Sequence, residues 1–150
     1  MDVTAFALAQ RFVGLAEESG PASNPLIVAM LRLDAKWAKD DSIAWCSAFA
    51  NFIAWLLRLP RSKSLSARSW LAVGTPIPLE DAIPENDIVV LKRGKSPQPG
   101  PAVVAAPGHV GFFAGMDGAS VLVLGGNQSD AVGIARWPAK DVLGVRRLTL

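Results

Sequence analysis

The chain has 150 residues, 51% of them hydrophobic and 19% charged, with a formal net charge of +2 and an isoelectric point near 9.0. This suits a single domain over residues 1–150 with a real core, and excludes a disordered or fibrous chain. One cysteine excludes an internal disulfide, and a single histidine beside it excludes a structural zinc site.

In chain order, apolar positions at helical spacing predict a first helix over residues 3–17, stopping at Gly20-Pro21. A short second helix is expected from Asn24-Pro25 through Leu33, because Pro suits a first helical turn. Asp40, Asp41 and Ser42 are candidate caps for a third helix, whose broad apolar stripe runs from Trp45 to Leu57 and ends at Pro60. The apolar run Ile43–Leu57 is too short to span a membrane and contains Ser47 and Asn51, so it reads as a helix buried within a domain. A fourth short helix is expected over Ser66–Val73, closed by Gly74.

After Pro78 the pattern becomes strand-like: 87–91, 109–114, 120–124, 132–137 and 143–148, each bounded by turn residues. Helices first and strands second predict an α+β domain, with N-terminal helices packed on a C-terminal antiparallel β-sheet. Residues 93–108 form a Pro/Gly-rich loop suited to walling a cleft, and Lys92, Arg93 and Lys95 at its start would attract carboxylates. The basic residues are scattered and not interleaved with aromatics, so no nucleic-acid partner is expected.

Cys46 and His109 carry the chemistry. A thiol nucleophile needs help to ionise, and both a helix N-terminus and an imidazole neighbour supply it. With Ser42 as cap, Cys46 falls about one turn into its helix. His109 opens the strand GHVGFFAG and would act as base. Asn127, in GGNQ, could accept the ring N–H and orient it, with Gln128 and Asp130 as neighbouring alternatives. A two-residue turn at Asp117-Gly118 would put Asn127 on the wrong sheet face, and either a loop with an odd residue count or a bulge at Gly125-Gly126 would restore it. Ser47, Ser66 and Ser69 have no second histidine to serve them.

Trp45-Cys46, Ala67-Arg68-Ser69-Trp70, Gly108-His109-Val110-Gly111 and Gly125-Gly126-Asn127-Gln128 resemble the phage-associated peptidoglycan hydrolases of the NlpC and CHAP type, over residues 10–148. The resemblance implies a papain-like fold with Cys46 as nucleophile, His109 as general base and Asn127 as third residue. The backbone N–H of Cys46 would serve as an oxyanion donor. It implies hydrolysis of an amide bond in the peptide part of the bacterial cell wall, with no metal or cofactor.

The N-terminus lacks the basic-then-apolar order of a secretory signal. The expectation is a protein made in the cytoplasm that acts at the wall or periplasm after delivery. A holin pore would release it as a phage endolysin; a secretion apparatus would deliver it as an antibacterial toxin, with an immunity protein as a further partner. The rival readings are a non-catalytic papain-like module that binds wall fragments or belongs to a particle, and an amidase or acyltransferase acting on a small amide.

Overall fold

A computed structural model describes residues 2–19, 22–94 and 97–150. Helix α1 spans Ala5–Gln10, capped by Thr4, whose hydroxyl accepts the Ala7 N–H. It is shorter than the apolar periodicity predicts. Gly14 takes φ +99° and turns the chain toward the sheet. The Gly14 N–H then donates to the Val132 carbonyl, Val132 to Leu15, and Glu17 to Asp130. A long-range pairing has claimed residues that locally favour helix. The stop expected at Gly20-Pro21 lies outside the described residues.

Helix α2, Pro25–Arg32, forms as expected, with Asn24 accepting the Leu26 N–H and Pro25 in the first turn. Helix α3, Cys46–Leu56, begins later than a Ser42 cap would allow. The Asp40 carboxylate accepts both the N–H and the hydroxyl of Ser42, which closes a local turn in place of a helical one. Cys46 is therefore the first residue of α3, after Trp45.

The polar residues of this apolar helix have assigned partners. Ser47 Oγ donates to the Ser64 carbonyl and accepts from Trp70 Nε1, while Asn51 accepts from the Lys63 N–H. Together they bind the crossover segment 62–66 to the helix. The expected fourth helix is a 3₁₀ turn at Ala67–Ala72.

Strands β1 (Thr75–Ile77), β2 (Asp87–Lys92), β3 (Gly108–Asp117), β4 (Ser120–Gln128), β5 (Ala131–Pro138) and β6 (Val142–Arg147) form one sheet in the order β1-β6-β2-β3-β4-β5. Neighbours pair antiparallel. The architecture is α+β, with N-terminal helices and a C-terminal antiparallel sheet. Strand β1, unforeseen in the sequence, is three residues long and sits at the edge, where Pro76 is tolerated.

The two sheet faces bury separate apolar clusters. Ile88, Val90, Val110, Phe112 and Leu124 pack with Trp45, Phe49 and Ile53 of the α3 region. Val89, Leu91, Phe113, Val121 and Val123 pack on the other side, with Trp137 at the margin. Among the described residues three irregularities interrupt the ladders: in β2 between Val90 and Leu91, in β3 between Phe113 and Gly115, and in β4 between Gly125 and Gln128. The last shapes the site.

Candidate active site

Cys46 is buried, and its thiol lies at the N-terminus of α3. No side chain caps this end of the helix. Burial pushes the thiol pKa up. Backbone groups of Val110, Ser47 and Cys46 itself, together with the positive charge of Arg93, pull it back down. The Val110 contribution matters for layout: the residue after His109 directs its backbone at the sulfur.

His109 is fully buried. Its neighbour Val110 belongs to the helix-side cluster, so alternation turns the imidazole toward the other face, beside its cross-strand partner Leu91. There the ring stacks on Trp137, with centroids 4.5 Å apart and planes 14° from parallel. Its Nε2 is 2.9 Å from Gln128 Oε1. The Gln128 amide cannot be turned round, because its Nε2 donates to the carbonyls of Val123 (3.1 Å) and Gly133 (2.6 Å). Oε1 also accepts from Trp137 Nε1 at 3.0 Å.

That network fixes the tautomer. Oε1 can only accept, so the neutral ring carries its proton on Nε2 and leaves a lone pair on Nδ1. Nδ1 is buried and has no hydrogen-bond partner. No hydrogen bond joins Nδ1 to the Cys46 thiol. Burial is the main cause that holds the imidazole pKa down, at about 4 against an ordinary 6.5. The Arg93 charge adds to the depression, and the Gln128 hydrogen bond opposes it. Burial thus favours the uncharged form of both the Cys46 thiol and the His109 imidazole.

The orienting contact expected of Asn127 is made by Gln128. Asn127 takes φ +56°, a left-handed conformation that Asn tolerates, within the irregular stretch of β4. One such residue rotates the chain, so the residue that follows Gly125 on the His109 face is Gln128. A Cβ on Gly125 would come within 3.1 Å of His109 Nε2. One on Gly126 would fall 2.7–2.8 Å from Trp45 and Phe49. The two glycines let the ring and the start of α3 approach β4 from opposite sides. The bulge inferred from the sequence is present, and it brings the neighbouring side chain to the histidine.

Asn127 instead lines a cleft of about 340 Å³ with Cys46, Leu65, Arg93 and the segment Ala105–Gly108. The Pro/Gly-rich loop therefore walls the cysteine cleft along its last residues. Arg68, fully buried on the 3₁₀ turn, holds that wall: its guanidinium donates to the carbonyls of Pro99, Gly100, Val103 and Pro107. Lys95, singled out in the sequence, lies outside the described residues. Neither Arg68 as a clasp nor Trp137 as a stacking partner was foreseen, although Ala67-Arg68-Ser69-Trp70 stood out as a motif.

A larger concavity of about 870 Å³, beside Trp55, Arg58 and Lys63, contains none of these residues. Among the described residues no group of three or more His, Cys, Asp or Glu could hold a metal ion. No described helix is long and apolar enough to cross a membrane.

No protein-family model matches the chain, and no curated protein matches it significantly. Among solved structures it is similar to NlpC1 from Trichomonas vaginalis. The TM-score is 0.56 and the identity 16%, over 97% of this chain. The chain spans 44% of that protein's length. At this identity the likeness is one of fold.

Proposed function

We propose that this chain is a papain-like thiol hydrolase that cleaves an amide bond in the peptide part of peptidoglycan. The observation that carries the reading is His109: one ring nitrogen is anchored to Gln128, and the other, Nδ1, is a buried lone pair with no partner. A histidine kept only for packing has no need of a fixed tautomer with a free base. Cys46, at a helix N-terminus without a side-chain cap and with the backbone of Val110 against its sulfur, is the nucleophile in this reading. Likeness of fold to a protein named NlpC1 supports the same reading.

In this mechanism Nδ1 of His109 takes the thiol proton, directly or through a water, as Cys46 Sγ attacks the carbonyl carbon. Catalytic hydrogen bonds commonly tighten only once substrate is bound, so the unbonded resting pair is compatible with the step. The tetrahedral oxyanion is received by backbone N–H groups at the start of α3. His109 then gives the proton to the leaving amine, and water, activated by the same nitrogen, releases the acyl group from sulfur. Gln128 and Trp137 hold the ring in the base-forming tautomer throughout.

Asn127, within the same cleft, takes the role of a substrate contact in place of the orienting role. Residues 1–150 act as one domain in this proposal, delivered to the wall through a holin pore or a secretion apparatus. Incubating purified protein with sacculi and mass-analysing the soluble products tests the substrate class and identifies the bond together. Fragments with one new amine and one new carboxyl end are the expected result. Intact sacculi, with Cys46 still reactive toward a small alkylating agent, would favour the particle-associated or wall-binding module.

A further inference from the structure

The cysteine cleft continues past the thiol. Asn127 and Arg93 line it and also line a second cleft of about 250 Å³, which Gln128, Arg136 and Trp137 help to complete. Two shared walls make these the halves of one groove, with the thiol in one half and the outer side of the His109–Gln128–Trp137 stack bordering the other.

The halves differ in chemistry. Apart from Arg93 at the junction, the lining around Cys46 is uncharged and rich in small residues, with Ala44, Ala67, Ala105, Ala106 and Gly108, which suits a small residue of the substrate. The other half carries two guanidinium groups and no carboxylate. Arg136 already has a partner in Asp117. Arg93 forms no ion pair among the described residues, although its charge reaches both Cys46 and His109. Lys92, its chain neighbour, lines a different cavity. Of the basic residues that open the loop, Arg93 is the one seen to face the groove.

We propose that Arg93 is a carboxylate subsite at the junction of the two half-clefts, so that the groove selects substrates bearing a free carboxylate beside the bond presented to Cys46, with a small residue on the thiol side. A guanidinium offers a planar pair of donors that fits a carboxylate in two-point contact, which an ammonium does not. Partial enclosure in the groove strengthens that contact relative to open water. The selection of a cleaved substrate rests on the thiol hydrolase reading. The affinity for a carboxylate does not.

The test therefore begins without any wall substrate. Cys46 is the only thiol, so its alkylation can be followed by intact mass. Iodoacetate and iodoacetamide deliver the same carbon to sulfur and differ in the carboxylate. Their rate ratio cancels any change in thiol ionisation or access.

Arg93→Gln should lower the iodoacetate-to-iodoacetamide ratio about fivefold to tenfold, the scale expected for losing one close charge in a partly screened site. Lys92→Gln, with the same change in net charge, should leave the ratio as in the wild type. An unchanged ratio in Arg93→Gln, or an equal fall in Lys92→Gln, would overturn the subsite. With wall peptides, Arg93→Gln should raise KM about tenfold for fragments with the free carboxylate, change kcat little, and leave amidated fragments unaffected. Equal losses on both kinds of fragment would overturn the selection. If sacculi stay intact while the alkylation ratio falls as expected, the hydrolase reading fails and the subsite stands.

Discussion

Lowering the pH from 7 to 5 should destabilise this protein mainly through His109, because carboxylates of ordinary pKa titrate chiefly below that range. The folded pKa of His109 is held at about 4, against 6.5 when exposed, mainly by burial. The unfolded chain therefore takes up a proton between these values while the folded chain refuses it. Stability that is full above pH 6.5 is lost as the pH falls toward 4. The gap is worth about 3 kcal/mol in total, at about 1.4 kcal/mol per pH unit, and roughly 2 kcal/mol of it falls between pH 7 and pH 5.

Urea unfolding at several pH values in that range gives the measurement. His109→Gln, which cannot titrate, supplies the reference curve, and its stability should be nearly flat over the same interval. Imidazole proton shifts in the folded wild type report the same quantity directly, since the chain has one histidine. A wild-type stability that does not change between pH 7 and pH 5 would refute the buried, neutral base. So would a ring that titrates near 6.5 in the folded state.

Gln128→Ala should lower turnover more than Asn127→Ala and cost about 2–4 kcal/mol in chemical unfolding, because it strands the His109 and Trp137 N–H groups and two carbonyls; the opposite ranking would restore Asn127 as the orienting residue. Gly126→Ala forces a methyl against Trp45 and Phe49 and should cost about 1–3 kcal/mol, read as a lowered urea midpoint with an unchanged slope. Arg68→Met should release the loop from its clasp, seen as faster protease nicking between residues 97 and 107, while amide exchange in β2 and β3 stays slow.

Local chemistry was legible in the sequence, and long-range competition was not. Asn24-Pro25 announces α2 because cap and first turn lie within two residues of each other. Ser42 looked equally good as a cap for α3, but the carboxylate that takes its N–H and hydroxyl is two residues upstream in Asp40, and periodicity carries no trace of that rivalry. The early end of α1 depends on β5, more than a hundred residues away in the chain.

At the site, Cys46 and His109 stood out because each is the only residue of its type. Gly125-Gly126 correctly marked a bulge. The identity of the orienting residue hung on one left-handed residue, Asn127, which carries Gln128 to the histidine; spacing alone favoured its neighbour. Arg68 and Arg93 look alike as loop-adjacent cations. Only burial separates the clasp, which donates to four carbonyls through Nε and Nη1, from the groove residue with no paired carboxylate among the described residues.

The central claim, that Cys46 is a nucleophile served by His109, meets its most direct test in paired digestions. Purified wild type, Cys46→Ala and His109→Ala, each shown to unfold cooperatively, are incubated with the same sacculi, and soluble fragments are counted by mass. The account predicts release by the wild type and none above background by either variant, with Cys46→Ala losing only modest stability because little volume is removed. Digestion by Cys46→Ala at the wild-type rate would contradict it.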